Sequence, residues 1–336
     1  MSSLTKILVN KNVSCKSIWF MRQAGRYLPE FRKIRLNNKS FIDLCLNSDL
    51  SSEITLQPIK RFDLDSAIIF SDILLVPYAL GQGVKFIKNE GPVLSKFDLN
   101  NFLKVNKNNF TKKLNPVYKA ISKTRKKLDK KKSLIAFIGA PWTLLVYMMN
   151  LKKNKNKIDL FKFKKCEIEI NIILNTLTEY LCLHIEKQKE AGADVVQIFD
   201  SWAGLLPKSE LPNLCYSPNK KIVDFCRSKN IPTICFPKGL MKNYHEFNKR
   251  VKPNGLSLDY DINPRWAKQK LINVVLQGGM NPKILLGNEA KIYTEAKKYL
   301  DTFKNVPYIF NLGHGLVPET DPDKLDKLIK FVRMSK

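Results

Sequence analysis

Arg22 and Arg26 stand four residues apart around Gln23, Ala24 and Gly25, just after the apolar segment Ile18-Trp19-Phe20-Met21. A guanidinium is a planar fork of donors that keeps its charge and can grip a carboxylate with two parallel hydrogen bonds. Gly25 has no Cβ, so it can take an unusual φ/ψ or let a ligand approach the backbone. Two forks on a glycine-bent segment have the chemistry of a receptor for a molecule with several carboxylates. The competing reading is a surface loop with solvated arginines. Further candidates follow short apolar runs: Asp72 after AIIFS, Tyr147 soon after AFIGAPW, Ser201 after VVQIFD and His314 after YIFNLG. Each also has a structural reading. Asp72 could cap the next helix, Tyr147 could be a core ring, Ser201 a turn hydroxyl, and His314 a hydrogen-bonded interior histidine.

The elements that must carry these residues show in the apolar pattern. Short apolar runs ending abruptly in polar or glycine-rich tips recur at Ala67–Ser71, Leu134–Gly139, Asp194–Asp200, Thr233–Pro237, Gly255–Asp259, Asn273–Gly278 and Tyr308–Gly313. Near-continuous apolar runs of this length are what strands buried on both faces of a parallel sheet look like. An eighth is either Val84–Ile87 or Ile18–Met21; periodicity does not choose between them. Helical patterns lie between the runs. Glu167–Lys189 carries Ile168, Ile172, Leu174, Leu181 and Ile185 as its apolar face; Pro264–Ile272 begins after a capping Asn263; Asp323–Val332 closes the chain. Strands alternating with helices and totalling about eight imply an α/β fold, a single (β/α)8 barrel over residues 1–336, with a doubly wound open sheet as the alternative. Against the open sheet, Gly81-x-Gly83 lacks the third glycine of a dinucleotide fingerprint. In a barrel the site lies at the C-terminal ends of the strands, so Asp72, Tyr147, Ser201 and His314 would meet at one rim.

Composition narrows the function classes. With 336 residues and 44% hydrophobic content there is material for one large core. The net charge of +28 comes mostly from lysines scattered with asparagines, as in Lys104–Lys113, Lys123–Lys132 and Lys152–Lys165. No basic-aromatic interleaving or zinc-finger spacing accompanies it, which argues against a nucleic-acid partner. The seven cysteines contain no Cys-x-x-Cys pair and read as reduced cytosolic thiols. MSSLTKILVNKNVSC has no continuous apolar core of a secretory signal, and the longest apolar runs, such as Trp142–Met149, fall short of the ~20 residues of a membrane span. A soluble, cytoplasmic protein without membrane insertion is expected. The three histidines, His184, His245 and His314, sit in no His-x-Cys, His-x-x-x-His or His-Glu-x-x-His pattern, so no metal site is expected.

The string MRQAGRYLPEF (Met21–Phe31) resembles the uroporphyrinogen decarboxylase family, and the resemblance extends along nearly the whole chain. FSDILLVPYALG (Phe70–Gly81), GAPWTLLVYM (Gly139–Met148), QIFDSWAGLL (Gln197–Leu206), LQGGMNP (Leu276–Pro282) and NLGHGLVPETDPD (Asn311–Asp323) follow that family's order. By matching position, the resemblance implies a substrate-contacting segment at Arg22, Gln23, Ala24, Gly25 and Arg26. It also implies a central aspartate at Asp72, with further contacts at Tyr147, Ser201 and His314. It further implies a barrel with an N-terminal extension contributing to the cleft, and a homodimer. The implied activity needs no cofactor: the acetates of uroporphyrinogen III become methyls, giving coproporphyrinogen III and CO2, in porphyrin and haem biosynthesis. A pyrrole supplies its own electron sink when protonated next to the acetate. Arg22 and Arg26 would then clamp carboxylates, while Asp72 accepts pyrrole N–H bonds and offsets the ring cation. One departure stands out. After Tyr147 the family usually shows a glutamate and a glycine-rich loop, where this chain reads MMNLKKNKNK. Zinc-dependent, corrinoid-linked methyltransferases resemble the same barrel family, but this chain lacks their His-x-Cys ligand spacing.

Overall fold

The computed structural model describes residues 2–13, 17–87, 90–154, 157–159, 163 and 167–335. Its main sheet has eight parallel strands: β1 Ser17–Ile18, β2 Ser66–Ile68, β3 Ser133–Gly139, β4 Val195–Asp200, β5 Thr233–Pro237, β6 Gly255–Leu258, β7 Val275–Gly278 and β8 Tyr308–Phe310. They pair in the order β1-β8-β7-β6-β5-β4-β3-β2, with helices between successive strands, as in a (β/α)8 barrel. The seam between β1 and β2 has no ladder and is closed by Asp65. The Asp65 N–H donates to Ile18 O at 3.0 Å, and its Oδ2 accepts from Ile18 N at 2.7 Å and from Arg333 Nη2 at 2.7 Å. One carboxylate thus ties the last helix, Pro322–Met334, to the first strand.

The seven expected runs all fall on barrel strands, and the eighth strand comes from the Ile18 segment. Val84–Ile87 is also a strand, but it pairs antiparallel with Gly91–Leu94 in a hairpin outside the barrel. The pattern explains the split. Val-Lys-Phe-Ile alternates, so only part of it is buried, whereas Ser17 and Ile18 are both buried.

Inside the barrel, Gln277 Nε2 donates to Ser257 Oγ at 2.7 Å and to Gln197 Oε1 at 3.2 Å, and Gln277 Oε1 accepts from Trp19 Nε1 at 2.9 Å. Below this polar layer, the helix Ser3–Asn10 inserts Leu4, Ile7 and Leu8 against Val195, Ile234, Val275 and Ile309. It therefore closes the end at which the strands begin. The N-terminal part that reaches the opposite rim is the stretch following β1.

The helix Glu167–Glu190 buries Ile170, Ile173, Leu174, Leu177, Leu181 and Ile185. That is a stripe at i, i+3, i+4, i+7. Ile172 falls off the stripe and is 42% exposed, contrary to the expected face, while the Ile168 side chain lies outside the described residues. Asn263 caps Pro264–Lys270 as expected, accepting from Arg265 N at 2.9 Å and Trp266 N at 3.2 Å. Among the described residues no helix is long and apolar enough to cross a membrane.

Candidate active site

The arginine segment is stitched to the loop after β8. Met21 N donates to Asn311 Oδ1 at 3.2 Å, and Leu316 N donates to Met21 O at 2.9 Å. Between these bonds the chain turns sharply, and the residue that turns is Arg22, with φ 61°. Of the two uses the sequence offers for Gly25, an unusual φ/ψ or the close approach of a ligand, a positive φ is not found there. Gly25 is needed for a different reason: a Cβ there would lie 3.0 Å from Arg22 O. A non-glycine residue with positive φ carries local strain of order 1–3 kcal/mol, the kind that persists where surrounding contacts enforce it. Here those contacts include Gly315, on which the Arg22 side chain lies so closely that a Cβ would fall 2.4 Å from Arg22 Cδ.

Gln23 is fully buried and its polar groups are taken up by the protein. Oε1 accepts from Phe20 N at 3.1 Å, Nε2 donates to Ser66 O at 3.0 Å, and its carbonyl accepts from Tyr27 Oη at 2.7 Å. Its side chain holds the arginine turn against β2. Ala24 and Gly25 are half-buried beside it, and Arg26 is exposed.

Asp72, Tyr147, Ser201 and His314 follow β2, β3, β4 and β8 at the same rim as Arg22. Asp72 Oδ1 accepts from Leu74 N at 2.8 Å, a turn bond just ahead of the helix Leu75–Ala79. The N-cap of that helix is Leu74, with no side-chain cap bond, so Asp72 shapes the approach and does not cap the helix. Oδ2 has no protein hydrogen bond among the described residues. Burial raises its carboxyl to about 6, against the lowering effects of the Leu74 N–H and the Arg22 charge. The Arg22 guanidinium is lowered from its ordinary value by burial and then by repulsion from Arg26, with Asp72 and Tyr147 opposing. Arg22 has more than a third of its surface open to the cleft, yet protein surrounds it on several sides; an accessible group in a concave site is still partly desolvated.

Tyr147 is raised by burial and then by Asp72, so it stays a phenol and a donor. Its ring meets Trp202 edge-on at 5.7 Å. The Trp202 indole N–H is close enough to lower the phenol slightly, but it does not reach hydrogen-bond geometry and stays unpaired. His314 is pushed down to about 3 by burial, then by Lys238 and Arg22, and is neutral. Arg22 is therefore coupled electrostatically to Asp72, Tyr147, Arg26 and His314. Ser201 joins them by its position at the tip of β4.

Three acidic or basic groups at the rim escaped the sequence reading. Asp200 is buried and accepts from Thr143 Oγ1 at 2.7 Å, Asn219 Nδ2 at 3.0 Å and Cys215 Sγ at 3.3 Å. Thr143 Oγ1 also accepts from Trp202 N at 3.2 Å, so the Asp200 network fixes the Ser201-Trp202 turn. Lys238 and Asp259 end the runs of β5 and β6. The signal that picked out Asp72 was available for both, since each is the first charged residue after an apolar run. The unusual stretch after Tyr147 forms a small hairpin, Lys152–Asn154 with Lys157–Ile158, which sets Lys152 Nζ 4.6 Å from the centre of the Trp202 ring. The rest of that stretch, 155–156, lies outside the described residues.

Two surface grooves of about 640 and 610 Å³ lie elsewhere, one along Tyr260–Arg265 and the helix carrying Tyr299, the other beside Gln82 and Phe102. Neither includes any residue of the arginine segment, Asp72, Tyr147, Ser201 or His314.

A family model described as uroporphyrinogen decarboxylase matches residues 1–335. The chain belongs to the uroporphyrinogen decarboxylase family. The uroporphyrinogen decarboxylase of Orientia tsutsugamushi (strain Ikeda) is 42% identical, over 99% of this chain and 98% of its own length. That of Rickettsia felis is 41% identical, over 97% of this chain and 95% of its own. Among solved structures, a methyltransferase from Methanosarcina mazei superposes with TM-score 0.74 at 18% identity, over 98% of this chain and 96% of its own. At that identity the likeness shows a shared barrel alone.

Proposed function

We propose that this chain decarboxylates the four acetate arms of uroporphyrinogen III to methyls, giving coproporphyrinogen III and CO2, in porphyrin and haem biosynthesis. We further propose that it does so as one barrel unit, in the cytoplasm, as a homodimer, without a cofactor. The observation that carries the reading is the family match over residues 1–335, whose motif residues converge at one rim in the structure.

The chemistry follows from that rim. Each acetate arm loses its C–C bond to the carboxylate, and CO2 leaves. The electron pair passes into a ring already protonated at the neighbouring carbon, and a second protonation forms the methyl while the ring proton is released. The net change is one acetate carboxylate and one proton converted to one methyl and one CO2. Asp72, with Oδ2 free and its carboxyl raised to about 6, is ionised at neutral pH and accepts pyrrole N–H bonds at the ring centre. Its charge stabilises the cationic ring more than the neutral ring, so the contact favours the transition state over the ground state.

Arg22 and Arg26 take carboxylates. Burial and repulsion lower Arg22, which brings it closer to service as a proton source. Tyr147 remains a phenol donor, and neutral His314 and Ser201 complete the contacts. Anaerobic incubation with uroporphyrinogen, then oxidation and chromatography, should show porphyrins with seven, six, five and four carboxylates. An unchanged octacarboxylate would overturn the reading.

A further inference from the structure

Lys238 directly follows β5, and its backbone is held on both sides. Its N–H donates to Asp200 O at 3.1 Å, and its carbonyl accepts from Gly204 N at 2.9 Å. The loops after β4 and β5 interlock at this point, because a Cβ on Gly204 would lie 2.5 Å from the Gly239 carbonyl carbon. The backbone position of Lys238 is therefore set by packing. Its side chain is half-buried, and Nζ lies 3.5 Å from His314 Nε2. No carboxylate among the described residues closes an ion pair with it. Asp259 feels its charge, but Asp259 Oδ2 is occupied by Gly239 N at 2.6 Å and Tyr244 Oη at 3.0 Å.

We infer that Lys238 and His314 form a second carboxylate subsite on the β5–β8 side of the cleft, taking one acid arm of the tetrapyrrole. The inference rests on the proposed function for the identity of the ligand. An ammonium has three N–H donors and no acceptor, so it meets His314 Nε2 only when that nitrogen is unprotonated. The ring proton then sits on Nδ1. Two ammonium hydrogens and the Nδ1–H remain as donors, and a substrate carboxylate has the matching acceptors. A partly buried ammonium with Asp259 near enough to feel its charge, but with no carboxylate in ion-pair contact, keeps donors free for an incoming anion. The subsite lies across the rim from Asp72 and Tyr147, so it would hold an arm while Arg22 and Asp72 serve the reacting pyrrole.

Binding of coproporphyrinogen under anaerobic conditions, read by tryptophan quenching, tests this in Lys238→Met and Lys238→Arg. Losing a charged hydrogen-bond donor should raise the Kd of Lys238→Met at least about 10-fold, and Lys238→Arg should recover much of it. KM for uroporphyrinogen should rise more than kcat falls. The chain has three histidines, and in NMR titration the His314 resonance should titrate at higher pH in Lys238→Met than in the parent. An unchanged Kd in a Lys238→Met protein that melts like the parent overturns the subsite. So does a shifted His314 titration without weaker binding, which would leave Lys238 only a positioning role. Should Lys238→Met fail to fold, Lys238→Gln, which still can donate to Nε2, supplies the same Kd comparison. A parent that binds coproporphyrinogen but leaves uroporphyrinogen unchanged overturns the decarboxylase reading, while the Kd ratio still judges the subsite. A parent that binds neither overturns both.

Discussion

Asp72 has two oxygens in different settings, and substitution can separate the turn bond from the role proposed for its charge. Oδ1 accepts from Leu74 N, while Oδ2 has no protein hydrogen bond among the described residues. Asparagine keeps an acceptor for Leu74 and removes the charge, so Asp72→Asn should hold the turn and lose most turnover. The stability sign can be worked out as well. The folded carboxyl titrates at about 6 against an ordinary 3.8, so between those values the folded state holds more protons. Stability therefore falls as pH rises across that window, and the ionised group is a net destabiliser above about 6. Asp72→Asn should thus melt at least as high as the parent at pH 7 while failing to make product. Activity with normal melting would leave Asp72 only the turn bond to Leu74. For the parent, kcat/KM should decline as pH falls through about 6, where Asp72 gains its proton, and the profile identifies that limb. Arg22→Lys keeps the charge and loses the fork, so turnover should drop by an order of magnitude or more, given ~1.5–3 kcal/mol for a charged hydrogen bond. Steady-state rates across substrate concentration check it, and parental rates would remove Arg22 from the carboxylate clamp.

At the scale of elements, the loop after β8 and strand β2 hold the arginine turn in place. The loop after β8 contributes Asn311, Leu316 and the bare backbone of Gly315, over which the Arg22 side chain lies. Gly315→Ala puts a Cβ 2.4 Å from Arg22 Cδ, so the arginine must move while the barrel ladders stay intact. kcat/KM should fall at least about 10-fold, because a roughly 1 Å misplacement of a catalytic group can cost 10²-fold. Melting should shift little, and an unchanged rate would show that the Arg22 pose is not the working one. The NLGHG string was legible as a motif, but its reason was not. Which residue must lie against a glycine is a tertiary fact, absent from spacing. Gly25 shows the same limit, since glycine marks a tight place without saying whether φ or contact requires it. Gln23 was legible as part of the segment, yet its burial against Ser66 could not be read from a string in which its neighbours face the cleft. Lys238 and Asp259 were legible by the rule that found Asp72, because both end apolar runs.

The whole molecule was readable in outline because its strands are buried on both faces. Seven apolar runs stood out, whereas β1 was ambiguous because only Ser17 and Ile18 form ladder pairs, both with β8. Closure there falls to Asp65, a residue no periodicity marks, whose carboxylate meets both Ile18 N and Arg333. The net charge of +28 is the remaining molecular property, and it raises the question of whether the surface steers an anionic substrate. The Debye length is ~8 Å at physiological ionic strength, so exposed charges at the far end of the barrel are screened from the rim. Lys126, Lys127 and Lys130 are exposed just before β3 begins, at the end opposite the cleft. A Lys126→Gln/Lys127→Gln/Lys130→Gln variant should therefore keep kcat/KM within about twofold at 0.15 M salt, while kcat/KM of the parent still falls as salt rises, through the cations that line the cleft. A tenfold loss in the distal variant would show that the charge acts as a field over the whole surface. Equal salt slopes in the distal variant and the parent would place the functional charge at the rim, with Arg22, Arg26 and Lys238.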